Sequence, residues 1–242
     1  TSCRLADAGA RVIKVERPEG DFARNYDSNA LGNSAYFVWL NRGKESIALD
    51  LKNSEDFKIF ENIISKSDIL IQNLAPGAFD RLGLNLDEFR KKYPSLITCS
   101  ISGFGATGPQ AHHVALGSNL EGSGGLVSTI GYADNQLSES GSFYADPVGG
   151  SFGAIVSLSA LIHQQQQAQP MHIDLSLLES VALFISDAIF KFQNNEKSNN
   201  LDGNKSNYIA PQGAYQTAGH DCWIAIAIKN DKKIDKQKYG RA

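Results

Sequence analysis

Apolar positions along the chain switch between two rhythms: short continuous or alternating runs, and longer stretches with an apolar residue every third or fourth position. Residues 2–9 read as the end of a helix closed by Gly9, because glycine adopts the left-handed geometry that ends helices without steric cost. Val12, Ile13 and Val15 give residues 11–16 the body of a strand, and the loop Arg17-Pro18-Glu19-Gly20-Asp21 follows. Ser46–Leu51 reads as a second strand, and Ser54 as the cap of a helix to about Lys66 with Phe57, Phe60, Ile63 and Ile64 on one face. Asp68–Gln72 is a buried-type strand, Leu86–Lys92 a helix stopped by Tyr93-Pro94, and Leu96–Ile101 another strand. Further on come a helix from about Asp146 to Gln167, a strand Met171–Leu175, a long amphipathic helix from Leu177 to about Phe192, and a last strand Cys222–Ile228.

Strands alternating with helices at this spacing predict an α/β fold, a Rossmann-like and mostly parallel sheet with helices on both faces. Such sheets bind ligands beyond the carboxyl ends of their strands. Arg17, Asn73–Gly77 and Ser102–Gly105 fall there. No GxGxxG fingerprint is readable, so a dinucleotide site is unsupported.

Composition narrows the function classes. A net charge of −3 argues against electrostatic binding of nucleic acid or of a membrane surface, and no apolar run is expected to span a membrane. Cys3, Cys99 and Cys222 form neither a disulfide framework nor a metal-binding pattern, so a reducing compartment and no metal site are expected. The first residue falls inside a helix, Asn194–Asn207 reads as a polar loop, and periodicity is lost after Lys229. The chain therefore reads as part of a longer protein, incomplete at both ends.

Residues 103–131 are crowded with glycine, which inside a globular chain suits an active-site segment better than a linker. Glu121 lies within it, as a substrate contact or a solvated side chain. The stretch Ser142-Phe143-Tyr144-Ala145-Asp146-Pro147-Val148-Gly149-Gly150 reads as a short extended run, Gly141–Ala145, leading Asp146 into a helix as its N-cap. Pro147 suits the first helical turn. Gly149 would let a ligand approach the carboxylate closely. Asp174 or Ser176 reads as the cap of the following helix, and His112, His113, His163, His172 and His220 as loop, surface or strand-edge residues.

Four blocks stand in a fixed order along the chain. The first is Leu5–Pro18 with Gly20-Asp21, and the second Asn41–Asp50. The third is Gln72–Gly83 continuing to Cys99–Pro109. The fourth is Tyr144–Gly150 with Ile173–Glu179. Together they resemble the family III CoA-transferases (CaiB/BaiF type), which include formyl-CoA transferase, carnitine CoA-transferase and 2-methylacyl-CoA racemase.

The resemblance implies a large Rossmann-like CoA-binding and catalytic domain, residues 1–192, and the start of a smaller domain, residues 193–242. It implies an interlocked homodimer when full length. It assigns Asp146 as the nucleophile, forming aspartyl anhydride and thioester intermediates. It gives Arg17, Asn73, Leu74, Ala78 and Arg81 to CoA binding, while Glu121 and Gly149 stand as substrate-contact candidates from their places in the glycine-rich segment and beside Asp146. Coenzyme A and acyl-CoA are then substrates, with no permanently bound cofactor. A cytoplasmic protein is expected, with mitochondrial or peroxisomal alternatives. The racemase branch needs a histidine at the position of Leu116, which makes isomerisation the weaker alternative. A remnant that binds CoA without catalysis is the other.

Overall fold

In the computed structural model, which describes residues 1–26, 34–132, 136–167, 169–195, 201, 203–204 and 209–228, the chain divides into two units. One comprises residues 1–124 and 143–184, the other residues 125–142 and 185–242. Most of the loop expected at Asn194–Asn207, and the tail from Asn230, lie outside the described residues.

The first unit runs α1 (Ser2–Asp7), β1 (Val12–Glu16), α2 (Ala35–Asn41), β2 (Lys44–Ala48), α3 (Ser54–Ile64), β3 (Ile69–Gln72), α4 (Ala78–Arg81), α5 (Leu86–Lys92), β4 (Ile97–Ser102), α6 (Gly117–Ser123), α7 (Ala145–Gln167), β5 (His172–Ser176) and α8 (Leu177–Ala182). β1 pairs with β2 in parallel, Val12 opposite Lys44. β3, β4 and β5 form a parallel sheet in that order, with Cys99 between Ile71 and Ile173. β4 is central and all 6 of its residues are buried, as expected of a strand covered on both faces. The α/β class and the parallel pairing therefore stand as the sequence predicts.

Phe60, Ile64, Phe79, Leu84, Phe89 and Leu96 pack with Leu49 into one core cluster, joined by the partly buried Val15, Ile47 and Leu70. Phe60 and Phe89 meet edge to face at 6.2 Å. The cap of α3 differs from the expected Ser54. Asn53 Oδ1 accepts the N–H groups of Glu55 (2.8 Å) and Asp56 (3.3 Å), so the helix is capped one residue earlier. β2 ends at Ala48 rather than Leu51, because Asp50 opens a turn: its carbonyl accepts the Asn53 N–H (2.8 Å) and its Oδ1 that of Lys52 (3.0 Å).

α7 sets the geometry of the site. A Cβ on Gly149 would lie 2.1 Å from Leu177 Cδ2, and one on Gly153 3.2 Å from Ile101 Cδ1. Leu177 directly follows β5, and Ile101 lies near the end of β4. The amino-terminal turns of α7 thus rest on the carboxyl edge of the sheet, at a closeness that glycine permits. By length and a mean hydropathy of 1.4, α7 could cross a membrane, which the sequence reading did not anticipate. Here it is a packed helix with Val148, Gly149, Gly153, Ala154, Ser157 and Ala160 buried. Its Ile155, Leu158 and Ile162 are exposed.

The helix expected from Leu177 to Phe192 is broken. Leu183–Ile185 forms a 3₁₀ turn, and Ile185, at φ −112° and ψ 21°, leaves helical geometry before α9 (Ser186–Gln193) begins in the second unit. Ile185 is buried beside Gly125, where a Cβ would lie 3.0 Å from its Cδ1. The second unit also holds the antiparallel hairpin of β6 (Gln212–Gln216) and β7 (Trp223–Ala227). β7 matches expectation. β6, with the sequence Gln-Gly-Ala-Tyr-Gln, lacks the apolar alternation that announces a strand.

Candidate active site

Asp146 lies inside the first turn of α7, one position past the helix start, rather than at the N-cap. The residues before it are not extended. Phe143 takes φ 48° and Gly141 φ 70°, so the chain turns sharply into the helix. The Asp146 N–H donates to Phe143 O (2.9 Å) and the Val148 N–H to Tyr144 O (3.2 Å). Pro147 occupies the first turn, where its missing N–H leaves no bond unmade. The Asp146 side chain is open to solvent, yet enough protein surrounds it for desolvation to push its pKa above the ordinary carboxylate value. The Glu121 charge pushes it the same way.

Glu121 is neither solvated nor on the surface. It is 1% exposed on α6, and the Tyr144 N–H donates to its Oε1 at 2.5 Å. Gly117, one turn earlier, faces Phe143 so closely that a Cβ would lie 2.4 Å from Phe143 Cβ. α6 therefore holds the turn 143–146 at both Phe143 and Tyr144. Burial, and secondly the Asp146 charge, raise the Tyr36 phenol of α2. Tyr144 stacks edge to face on Phe184 at 5.6 Å. Gly149, expected to leave room for a ligand, has that space filled by Leu177, so helix packing accounts for the glycine.

The CoA candidates sit at carboxyl ends of strands. Asn73 and Leu74 follow β3. The Asn73 Nδ2 donates to Ile101 O of β4 (2.9 Å), and the Leu74 N–H to Gln72 Oε1 (2.7 Å). Ala78 and Arg81 begin and end α4, whose N-cap Gly77 takes φ 74°. Leu74 and Arg81 are exposed. Arg17 follows β1 and is exposed, its Nε donating to Gly20 O (3.0 Å). The structure thus joins Asp146 to Glu121 through Tyr144 and groups Asn73, Leu74, Ala78 and Arg81 in one loop and short helix. Arg17 stands on the β1–β2 pair.

One structural group was missed from sequence. Glu16, buried at the end of β1, accepts Arg24 Nη2 (2.7 Å) and Nε (3.0 Å), the Asp21 N–H (2.9 Å) and the Ser46 hydroxyl. The Arg24 hydrogen bonds chiefly hold its carboxyl at a pKa of about 2; burial opposes them, and Ser46, the Asp21 N–H and the Arg24 charge reinforce them. Lys14 pairs with Asp21, and the Arg24 guanidinium lies 4.1 Å from the Phe37 ring centroid. The network clamps the loop that carries Arg17. Its one sequence signal is a carboxylate ending an apolar strand.

His112 and His113 are exposed, as expected, and Leu116 is 66% exposed. His113 stacks on Phe104, and His172 Nδ1 shares a hydrogen bond with Thr98 Oγ1 (2.8 Å). Ser176 caps α8, its Oγ accepting the Glu179 N–H (3.2 Å), whereas both Asp174 oxygens accept the Ala106 N–H (3.1 and 3.0 Å). Cys3, Cys99 and Cys222 are free thiols. Among the described residues no group of three or more His, Cys, Asp or Glu could hold a metal ion.

Comparison with known proteins gives this arrangement a family. The chain is 37% identical to acetyl-CoA:oxalate CoA-transferase of Acetobacter aceti, over 94% of this chain and 58% of that protein. It is 32% identical to succinate–glutarate CoA-transferase of Agrobacterium fabrum, over 94% of this chain and 58% of that protein. It thus spans a little over half the length of these curated relatives. The crystal structure of a CAIB/BAIF family protein from Brucella suis superposes with a TM-score of 0.88 at 32% identity, covering 96% of this chain and 62% of that one. The sequence matches the CoA-transferase family III profile over residues 1–238, and the chain belongs to that family.

Proposed function

We propose that the protein transfers CoA from an acyl-CoA thioester to a carboxylic acid, with Asp146 as nucleophile. The observation that carries the reading is a solvent-open carboxylate held in the first turn of α7, over the carboxyl edge of a parallel sheet, on a turn braced by Glu121.

The Asp146 carboxylate attacks the thioester carbonyl, the C–S bond breaks, and the CoA thiolate leaves an acyl-aspartyl anhydride. The thiolate then attacks the aspartyl carbonyl and expels the donor acid as its carboxylate, leaving an aspartyl-CoA thioester. The acceptor carboxylate displaces the thiolate to form a second anhydride. Thiolate attack on the acceptor's carbonyl carbon yields the new acyl-CoA and frees Asp146. No net proton is consumed, and one difficult exchange is divided into easier ones.

In this reading Arg17 and Arg81 would meet CoA phosphates with charge-assisted donors. Asn73, Leu74 and Ala78 offer a strand-end shelf for the nucleotide. Leu116 has no proton to give or take, which disfavours isomerisation at the acyl α-carbon. The exposed Ile155, Leu158 and Ile162 of α7 offer a surface that a second subunit would cover in the expected interlocked homodimer.

The test uses full-length protein with a panel of acyl-CoA donors and acids, dicarboxylates first because the two relatives are named for oxalate and glutarate. Hydroxylamine trapping and mass spectrometry should find an adduct on the Asp146 peptide, lost in D146A. Proton exchange at the α-carbon without an adduct would assign the isomerase. Absence of both signals, with CoA still raising the melting temperature, would assign a binding remnant.

A further inference from the structure

The residues ahead of Asp146 adopt a shape they would not choose alone. Phe143 holds φ 48°, a conformation costing a side-chain-bearing residue on the order of 1 kcal/mol and kept only where the surroundings over-determine it. α6 supplies that constraint at two points one turn apart: Gly117 against Phe143, and the buried Glu121 carboxylate on the Tyr144 N–H. Phe143 O in turn accepts the Asp146 N–H at 2.9 Å. The chain of contacts from Glu121 to the backbone of Asp146 is unbroken.

We propose that Glu121 is a positioning residue for the nucleophile: its buried carboxylate, bonded to the Tyr144 N–H, locks the turn 143–146 and fixes the direction in which α7 presents the Asp146 carboxylate. The proposal rests on the reading of Asp146 as nucleophile. A misplacement of about 1 Å at a reacting group can cost on the order of a hundredfold in rate, so a rigid turn has a kinetic purpose here.

Glu121 acts on Asp146 through charge as well as geometry. Among the described residues, the groups in Asp146's field are Glu121 from α6 and Tyr36 from α2. Glu179, the titratable residue of α8, is exposed. The two actions separate by substitution. E121Q keeps an oxygen to accept the Tyr144 N–H and removes the charge, whereas E121A removes both.

The experiment compares full-length wild type, E121Q and E121A. It reads the titration midpoint of Asp146 by NMR of isotope-labelled aspartate, assigned with D146N, and the rate of hydroxylamine-trapped adduct per folded molecule at saturating acyl-CoA. E121Q should titrate below wild type while forming adduct within about threefold of its rate. E121A should lose about a hundredfold in adduct rate. An E121Q that loses adduct formation as E121A does overturns the proposal, because the acceptor for the Tyr144 N–H is kept. So does an E121A that melts earlier but reacts normally, the signature of a merely structural role. Should E121A fail to fold, the E121Q adduct rate still decides. A wild type that forms no adduct overturns the nucleophile itself, whereas normal adduct formation in both variants overturns Glu121 alone.

Discussion

Gly149 and Leu177 meet with no room for a methyl group between them, since a Cβ on Gly149 would lie 2.1 Å from Leu177 Cδ2. Both residues are buried, so the leucine has little free space to retreat into. Forced overpacking of this kind costs about 1–3 kcal/mol. G149A should therefore lower the unfolding free energy by that amount, seen as a lower denaturant midpoint at an unchanged m-value. It should also slow adduct formation, because Asp146 lies one helical turn away on the same rigid element. Wild-type stability in G149A would show that α7 is not seated on Leu177 as described.

The Glu16 network predicts an acid-sensitive loop. The folded pKa of about 2 lies below the ordinary carboxylate value of 4.5, and the Arg24 hydrogen bonds are the main cause. A depressed folded pKa contributes stability that is present above the unfolded value and is lost as pH falls from there toward 2. Wild type should lose stability through that window more steeply than E16Q. At neutral pH E16Q should be less stable by about 1–3 kcal/mol, the cost of leaving the Arg24 donors poorly matched in a part-buried site. Matching acid-denaturation curves for the two proteins would contradict the network's contribution.

How far the sequence carried these conclusions depended on whether a feature was local. α5 is legible to the residue because Asn85 caps it and Pro94 closes its far side, and the face of Phe57, Phe60, Ile63 and Ile64 follows from spacing alone. Asn53 and Ser54 are both good caps and adjacent, so local chemistry could not choose between them. Glu121 was illegible for another reason. A carboxylate among glycines looks solvated in sequence, and only the packing of α6 against α7 and α8 removes it from water. Phe143 has no intrinsic preference for left-handed backbone; its neighbours Gly117 and Glu121, distant in sequence, impose it. The break at Ile185 likewise interrupts an apolar pattern that runs on without a mark.

Arg17 and Arg81 should govern CoA affinity. Each is exposed at the carboxyl end of a parallel strand or the helix that follows one, where phosphates are met by fixed donors. Losing one charge-assisted contact is worth about 1.5–3 kcal/mol, so R17A and R81A should each weaken CoA binding by tenfold or more in calorimetric titration of the full-length protein, roughly a factor of ten per 1.4 kcal/mol. R11A is the control, since Arg11 is an exposed cation already paired with Glu45. Equal affinities across all three variants would remove both arginines from the CoA site.

Asp146 itself should trade stability for reactivity. Its pKa is raised first by burial and then by the Glu121 charge, so the folded state favours the protonated acid. The stability this contributes is present below the unfolded carboxylate pKa and is lost as pH rises through the folded value. At neutral pH the ionised Asp146 is therefore a destabilising group, and D146N should melt higher than wild type. Solvent screening of this open side chain keeps the gain below about 1 kcal/mol. The difference should shrink as pH falls and Asp146 takes up its proton in the wild type. Adduct formation should follow the opposite course, rising with pH through the same midpoint and absent from D146N throughout. A D146N protein no more stable than wild type at neutral pH, and equally so in acid, would mean that the carboxylate feels neither its burial nor Glu121.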